Sequence, residues 1–396
     1  MSFLRTRTRT LGAGALVLTG ALALSACGSS DSTVAADTST ATAAAAGDAG
    51  ALTPQAALAK AYKGVTGQPP TSAPVPAKDK SIWIVSCGQS QAICSSESAA
   101  TTAAATTLGW TAKTCDGQLS PPGWQACIRQ GVSAGSDAIV AIGLDCPNIK
   151  GALQEAKAAK VVTINVGGSD CGAFGDTDLF AGSSPKLPDM TGEQFFNLQG
   201  ALQADYLIGK TDGKAKALYV QFTDAKFGSW LQAGFTEEMK KCSGCTITST
   251  VQIGNADVGG GTLPTKVSTA LLQNPTINAV AVPLDGWFFA GLAQALASSG
   301  RSDSLTVVGA IGTAGNYDLI RGNKGEDATA AWSGDWDAWS GIDAAVRVFA
   351  GQPTVPSGVG LQVVDATTNM PAPGQAFAYS PVVDFAAAYK KIWGVG

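Results

Sequence analysis

From Ser81 onward, short β-branched apolar runs alternate with alanine-rich segments of helical spacing, and no other feature of this chain restricts its fold as strongly. Such alternation is the pattern of parallel strands whose crossover helices cover the sheet. It predicts strands at 81–86, 111–114, 138–142 and 161–166, with helices at roughly 96–108, 123–134 and 149–160. After an irregular stretch over 167–189, Thr191-Gly192-Glu193-Gln194 fits a capping box opening a helix that reaches about residue 208. A second set of strands follows at 217–222, 246–251, 279–282, 306–309 and 330–333, with helices near 229–241, 263–273, 286–298 and 317–321. A helix over 337–349, a strand near 361–364 and a helix over 383–393 complete the chain. Open parallel sheets bind ligands outside the carboxyl ends of their strands. Two such sheets therefore offer two facing crevices.

The sequence contains no histidine. Without imidazole there is no Ser-His-Asp or Cys-His nucleophile, no histidine-ligated zinc and no histidine general base. A nucleophile elbow with triad partners is also missing. Carboxylate-only chemistry such as glycoside hydrolysis is the enzymatic route that survives, and the chain reads as a non-enzyme with no cofactor and no metal. Charged residues make up 14% of it, against about 25% in ordinary proteins, so large cores can be buried. The net charge is −4 even with Arg5, Arg7 and Arg9 near the N-terminus, which leaves no basic footprint for nucleic acid.

Those three arginines precede an apolar run over 11–24 and then Leu24-Ser25-Ala26-Cys27. The run is shorter than the ~18 residues of a membrane-spanning helix and suits a signal core. The tetrapeptide resembles the lipobox of bacterial lipoproteins, which implies a signal peptide over 1–26 and a lipid on Cys27. Residues 27–78 then read as a lipid-anchored flexible tether, rich in Ala, Ser, Thr and Gly up to about residue 50. A short helical pattern at 55–65 and the prolines at 69, 70, 74 and 76 stiffen its end. Beyond Cys27 the cysteines number eight, at 87, 94, 115, 127, 146, 171, 242 and 245, and an even set in an exported chain implies disulfides. Nearest-neighbour pairing is the expectation. Cys242-Ser243-Gly244-Cys245 could instead be redox-active or half a zinc site. It follows Lys240-Lys241 at a predicted helix end, where the dipole raises a thiol pKa, and no second cysteine pair has matching spacing.

From about Lys80 to Gly396 the order of elements resembles type I periplasmic binding proteins of the ribose- and galactose-binding kind, the solute receptors of ABC importers. The residues carrying the likeness are Ser81 to Cys87 leading into a helix, Leu108-Gly109-Trp110, Ala138 to Asp145, Val161 to Val166, Pro283-Leu284-Asp285-Gly286 and Val307-Val308-Gly309. The resemblance implies an α/β fold of two doubly wound parallel-sheet lobes joined by a three-segment hinge, with crossings near Gly167, Gly334 and Val364. The N-terminal lobe would then comprise 79–167 plus 335–363, and the C-terminal lobe 168–334 plus 364–396.

If the crevices face one another, residues just past strand ends supply the contacts. Gln89 and Ser90 follow the first strand, in a loop that a Cys87–Cys94 bridge could simply clip shut. Asp116 and Asp145 follow the second and third, where a carboxylate can take ligand hydroxyls or cap the next helix. Asp145 matches the family position at which an acid contacts sugar hydroxyls. In the second set, Lys226 and Phe227, Asp285 and Trp287, and Asp335 and Trp336 sit beyond strand ends, with the tryptophan rings available for stacking. Trp83, Trp332 and Trp393 read as core. Two departures from the family bear on the ligand: Ile311 stands where an aspartate is common, and the arginines that fork onto sugar hydroxyls have no counterpart.

The expected function is a lipid-anchored receptor on the extracellular face of the cell membrane. It would capture a small neutral solute, a sugar or polyol first and a small aromatic compound second, and deliver it to an ABC permease with its ATPase. Presentation of the ligand to a membrane sensor would use the same fold. Replacing Cys27 by Ser should release the protein from membranes, since the lipid chain supplies the anchoring energy. Cys27→Ser protein that still sediments with membranes after a carbonate wash would refute the lipobox reading.

Overall fold

Helix α1 (Pro54–Lys63) comes first in the structure, a computed structural model that describes residues 52–377 and 379–396. The expected signal peptide over 1–26, the lipidation site Cys27 and the tether before residue 52 lie outside the described residues. Among the described residues, no helix is long and apolar enough to cross a membrane.

The first sheet grows from β1 (Ser81–Ser86), whose last five residues are all buried, as a strand covered on both faces must be. Around it run α2 (Ala92–Thr107), β2 (Thr111–Asp116), α3 (Pro121–Ser133), β3 (Ala138–Ile142), α4 (Cys146–Ala158), β4 (Val162–Val166) and the two-residue β5 (Gly182–Ser183). The strands lie parallel in the order β2-β1-β3-β4-β5. Helices begin a few residues before the predicted starts because their caps lie upstream. In α3, Ser120 Oγ accepts from Gly123 N at 3.3 Å and Pro121 is preset for the first turn.

Helix α5 (Gly192–Lys210) carries the predicted capping box: Thr191 Oγ1 accepts from Gln194 N at 3.2 Å, and Gln194 Oε1 accepts from Thr191 N at 2.8 Å. The second sheet follows as β6 (Lys216–Phe222), α6 (Lys226–Met239), β7 (Thr246–Ile253), α7 (Asn255–Gly259), α8 (Leu263–Gln273), β8 (Ala279–Ala281), α9 (Ala293–Ser298), β9 (Thr306–Ile311), α10 (Ala314–Arg321) and β10 (Ala328–Ala331). Then come α11 (Gly334–Phe349), β11 (Gln362–Asp365) and α12 (Phe385–Trp393). The strand order is β11-β10-β9-β8-β6-β7, parallel except that β11 runs antiparallel to β10. The single helix expected over 286–298 is broken at Gly291, whose φ of +95° ends one helical stretch before α9 begins.

Packing differs from the expected boundaries in three places. β5 pairs with β4, so the chain stays with the first sheet through Ser183 rather than leaving it near Gly167. β11 already belongs to the second sheet at Gln362, ahead of the crossing expected near Val364. Helix α12 stacks on α11 through Trp339 against Trp393 at 5.6 Å and Trp336 against Phe385 at 5.7 Å, and α11 in turn packs on α2 and β4 of the first sheet.

Residues 52–78, read as the stiffer entry segment that ends the tether, are bound into the fold. Helix α1 packs on α5 and β11, Val65 bridges Leu361, and Lys60 pairs with Asp205 at 2.9 Å and Glu238 at 2.7 Å. Tyr62 donates its hydroxyl to Asp365, which also pairs with Lys210 at 3.0 Å. Although burial raises the Asp365 pKa, these partners outweigh it and hold the carboxyl at about 2. The sequence missed this docking because Ala57 and Ala61, the buried positions of α1, carry so little apolar bulk.

Disulfides join Cys87 to Cys94, Cys115 to Cys127, Cys146 to Cys171 and Cys242 to Cys245. The first two tie β1 to α2 and β2 to α3, and the third pins the start of α4 to the turn after β4. Chain-entropy stabilisation grows with loop length, and the separations are 25 residues for Cys146–Cys171 and 3 for Cys242–Cys245. Replacing Cys146 and Cys171 together by Ser should therefore cost about 3 kcal/mol in denaturant unfolding, and the Cys242/Cys245 pair about half of that. Equal losses would contradict the loop-closure account.

Candidate functional site

Parallel strands leave their carboxyl ends, and the amides of the helices that follow, along one edge of a sheet. Both sheets turn that edge toward one cavity of about 120 Å³. From the first sheet come Gln91, Ile93 and Glu97 of the β1–α2 segment, Leu119 and Trp124 near the start of α3, and Gly143, Asp145 and Asn148 around the start of α4. The facing wall holds Phe196 and Gln199 of α5, Phe222, Asp224 and Phe227 after β6, Asp285 after β8, Ile311 at the end of β9 and Trp332 after β10.

Asp145 binds the two walls together. Its Oδ1 accepts from Ser169 N at 2.9 Å, and its Oδ2 accepts from Lys226 N, the first amide of α6, at 2.7 Å. Burial pushes its carboxyl pKa up, and the two amides offset only part of that. A carboxylate at a helix N-terminus also gains from the helix dipole. The walls also approach at Gly286, where a Cβ would come within 2.7 Å of Gln91 Oε1, the end of a side chain that could turn aside.

Asp285 is 1% exposed. Its Oδ2 accepts from Gly312 N at 2.6 Å and Thr329 Oγ1 at 2.8 Å, and burial pushes its pKa up to about 7. The buried Glu326 lies beside it: a Cβ on Gly309 would meet Asp285 Oδ1 at 2.1 Å and Glu326 Oε1 at 2.4 Å, so that strand position must be glycine. Burial and the neighbouring Asp285 raise the Glu326 pKa. Two adjacent buried carboxyls favour holding a proton between them. Next to this pair, Ile311 sits at φ +101°, a region β-branched residues rarely adopt, and lines the cavity. Beneath the strand ends, α5 supplies amides: Gln203 Nε2 donates to Val282 O and Gly309 O, both at 2.9 Å, and Gln199 Nε2 to Ala330 O at 2.9 Å.

Glu97 is buried, with Oε1 lacking a protein partner, and burial raises its pKa. Trp332 Nε1 likewise has no acceptor. Lys186, paired with Asp337 at 2.7 Å, sits 4.5 Å over the Trp332 ring.

Over residues 84–353 the sequence matches the family described as periplasmic binding protein domain. The chain belongs to that family. Periplasmic binding proteins among the solved structures share its fold. The arabinose-transporter component from Shewanella sp. ANA-3, bound to arabinofuranose, is 19% identical with a TM-score of 0.60, covering 79% of this chain and 95% of its own. A galactofuranose binding protein is 17% identical, TM-score 0.61, covering 80% and 99%. The D-allose-bound solute binding protein from Actinobacillus succinogenes 130z is 18% identical, TM-score 0.61, covering 73% and 98%. No curated protein matches the chain.

Of the residues expected to hold ligand in this binding protein, Asp145, Phe227 and Asp285 line the cavity. The others do not. Gln89 turns its amide onto Ser86 Oγ at 2.7 Å and Ser98 Oγ at 3.1 Å, Ser90 is exposed, and Asp116 accepts from Gln89 N and Gln118 N at 3.0 Å. Lys226 contributes its backbone amide to Asp145 while its ammonium lies over Phe174 and Trp230. Trp287 is core, edge-on to Phe222 at 5.6 Å; Trp336 donates Nε1 to Ser357 O at 3.0 Å and stacks on Phe385; Asp335 lies in the first turn of α11, which Ser333 caps, outside the cavity lining. Lys226, Trp287, Asp335 and Trp336 stand in the first turns of the helices that follow their strands, which wind the side chains away, whereas Gln89, Ser90 and Asp116 precede theirs and face the β1–α2 loop or solvent.

Trp332, read as core, is buried in the core and also lines the cavity, because β10 stops at Ala331 and leaves it first beyond the strand. A signal for Glu97 was present: it shares the buried face of α2 with Cys94, Ser98 and Thr101, where an unpaired acid is costly. Asp170 stands beside Cys146 and Cys171 at metal-ligand spacing, but the bridge between those cysteines removes both thiolates. Removing the Asp145 link should loosen the two walls. A hydrogen bond to a charged acceptor is worth about 1.5–3 kcal/mol, so Asp145→Ala should shift the ligand-free protein toward a more open form with a larger radius of gyration by X-ray scattering. Unchanged scattering would show that Asp145 does not hold the walls together.

Proposed function

We propose that the protein is the exported, lipid-anchored solute receptor of an ABC importer, and that it binds a sugar or polyol in the cavity between its two sheets before passing it to a membrane permease. The observation that carries this reading is a cavity at the carboxyl ends of both sheets, closed by the Asp145–Lys226 hydrogen bond and walled by buried acceptors and aromatic rings. Carboxylates and amides match ligand hydroxyls, and the faces of Trp124, Phe196, Phe227 and Trp332 match the apolar face of a ring. The free volume of about 120 Å³ is of the order that takes up a single six-membered ring. Structures with the same fold carry arabinofuranose and D-allose, which supports the ligand class. Ligand contacts from both walls would favour the closed form, so occupancy would be readable by a permease.

Pentoses, hexoses and acyclic polyols, with small aromatic solutes as the second class, should be tested by thermal shift. A ligand at a hundred times its Kd stabilises by about 2.7 kcal/mol, which is readily detected. Trp332→Ala should weaken the solute found by about tenfold or more while Trp336→Ala, outside the cavity, leaves contact with it intact. Thermal stabilisation by neither sugars nor polyols, or equal binding by Trp332→Ala, would overturn the proposal.

A further inference from the structure

The ionisable side chains that line the cavity are all acids. Glu97, Asp145, Asp224 and Asp285 line it, and no lysine or arginine does among the described residues. The two ammonium groups nearest these acids are committed elsewhere. Lys186 pairs with Asp337 at 2.7 Å, and Lys226 lies 5.5 Å over Phe174 and 5.9 Å over Trp230. Asp145 and Asp285 have partners in neutral amides and a hydroxyl, whereas Glu97, 3% exposed, has an oxygen with no protein partner. Trp332 Nε1, 4% exposed, is a second buried polar atom on the cavity wall without a partner, this one a donor.

A buried carboxylate without a counter-charge is costly and must take up either a proton or a cation. Low-dielectric walls of one sign also focus their field into the space between them. Aromatic faces, here Trp124, Phe196, Phe227 and Trp332, attract an ammonium as well as an apolar ring face. A neutral sugar would satisfy the hydroxyl-binding groups but leave Glu97 without a charge partner. We propose that the solute is a cation: a single-ring polyol bearing a protonated amine, an amino sugar, with its ammonium on Glu97. This rests on the solute-receptor reading and replaces the neutral ligand expected from the sequence. Trp332 Nε1 then donates to a ring hydroxyl or the ring oxygen, which gives the second unpartnered atom its use.

The test is isothermal titration of the full chain near neutral pH with glucosamine and galactosamine, their parent hexoses, and cyclohexylamine as an amine without hydroxyls. The expected result is an amino sugar bound at least about tenfold more tightly than its parent hexose, a difference of about 1.4 kcal/mol, with the preference falling below about threefold in Glu97→Gln. Glu97→Ala gives a parallel measurement should Glu97→Gln not fold. A hexose bound as tightly as its amino counterpart overturns the cation and leaves the sugar reading standing. Cyclohexylamine bound with no sugar of either kind supports the cation and overturns the sugar reading. A preference unchanged in whichever of these variants folds overturns the assignment to Glu97, and failure of every compound to bind overturns both readings.

Discussion

A single hydrogen bond shows how this molecule is organised: Asp145 Oδ2 accepting from the first amide of α6 across the cavity. Each parallel sheet ends in carbonyl groups and helix N-termini that point the same way, and neither edge can satisfy its polar groups by itself. Bringing two such edges together requires acceptors on one to meet donors on the other. Asp145 does this at the start of α4, and the Ser169 amide holds its second oxygen so that the carboxylate is fixed in place.

The second sheet needs more support than the first because it presents more buried polarity to the cavity. Gln199 and Gln203 of α5 reach up to carbonyls at the ends of β8, β9 and β10, which would otherwise be buried without donors. Asp285 and Glu326 occupy the space a side chain at Gly309 would fill, and Ile311 beside them adopts a backbone conformation that is unfavourable for its type. Strain and buried acids cluster where ligand is expected to bind, and the surrounding core of β6, β8 and β9, fully buried at Val220, Val280 and Val308, is what holds them. On the other side of the molecule, α1 closes over α5 through Lys60, Asp205 and Glu238, so the segment leading from the N-terminal region is part of the lobe it meets.

Which features were legible in the sequence follows from the range of the forces involved. Strand and helix positions depend on neighbours within a few residues, so the β-branched runs and the capping box at Thr191 could be read directly, and the order of those elements was enough to suggest the family. Bridges between nearby cysteines are equally local. The site was legible only where a residue stands immediately at a strand end, as Asp145 and Asp285 do. Trp336 and Trp287 fell away because two to four further residues of helix rotate a side chain by most of a turn, and a sequence does not say to within two residues where a strand stops. Trp332 came into the cavity for the same reason.

The sequence by itself therefore determined the α/β architecture, the number and order of strands that matter, and the absence of imidazole chemistry, because periodicity and composition are properties of the chain alone. Tertiary structure decided which acids face one another, that β11 runs antiparallel, that α1 and α12 dock where they do, and that Glu97 and Trp332 look into the cavity with unpartnered atoms. Those outcomes depend on contacts between segments tens to hundreds of residues apart, such as Ala328 with Asp365, Gln199 with Ala330 or Tyr62 with Asp365. Such contacts are set by how two sheets and their helices fill space together, and local spacing carries no record of that.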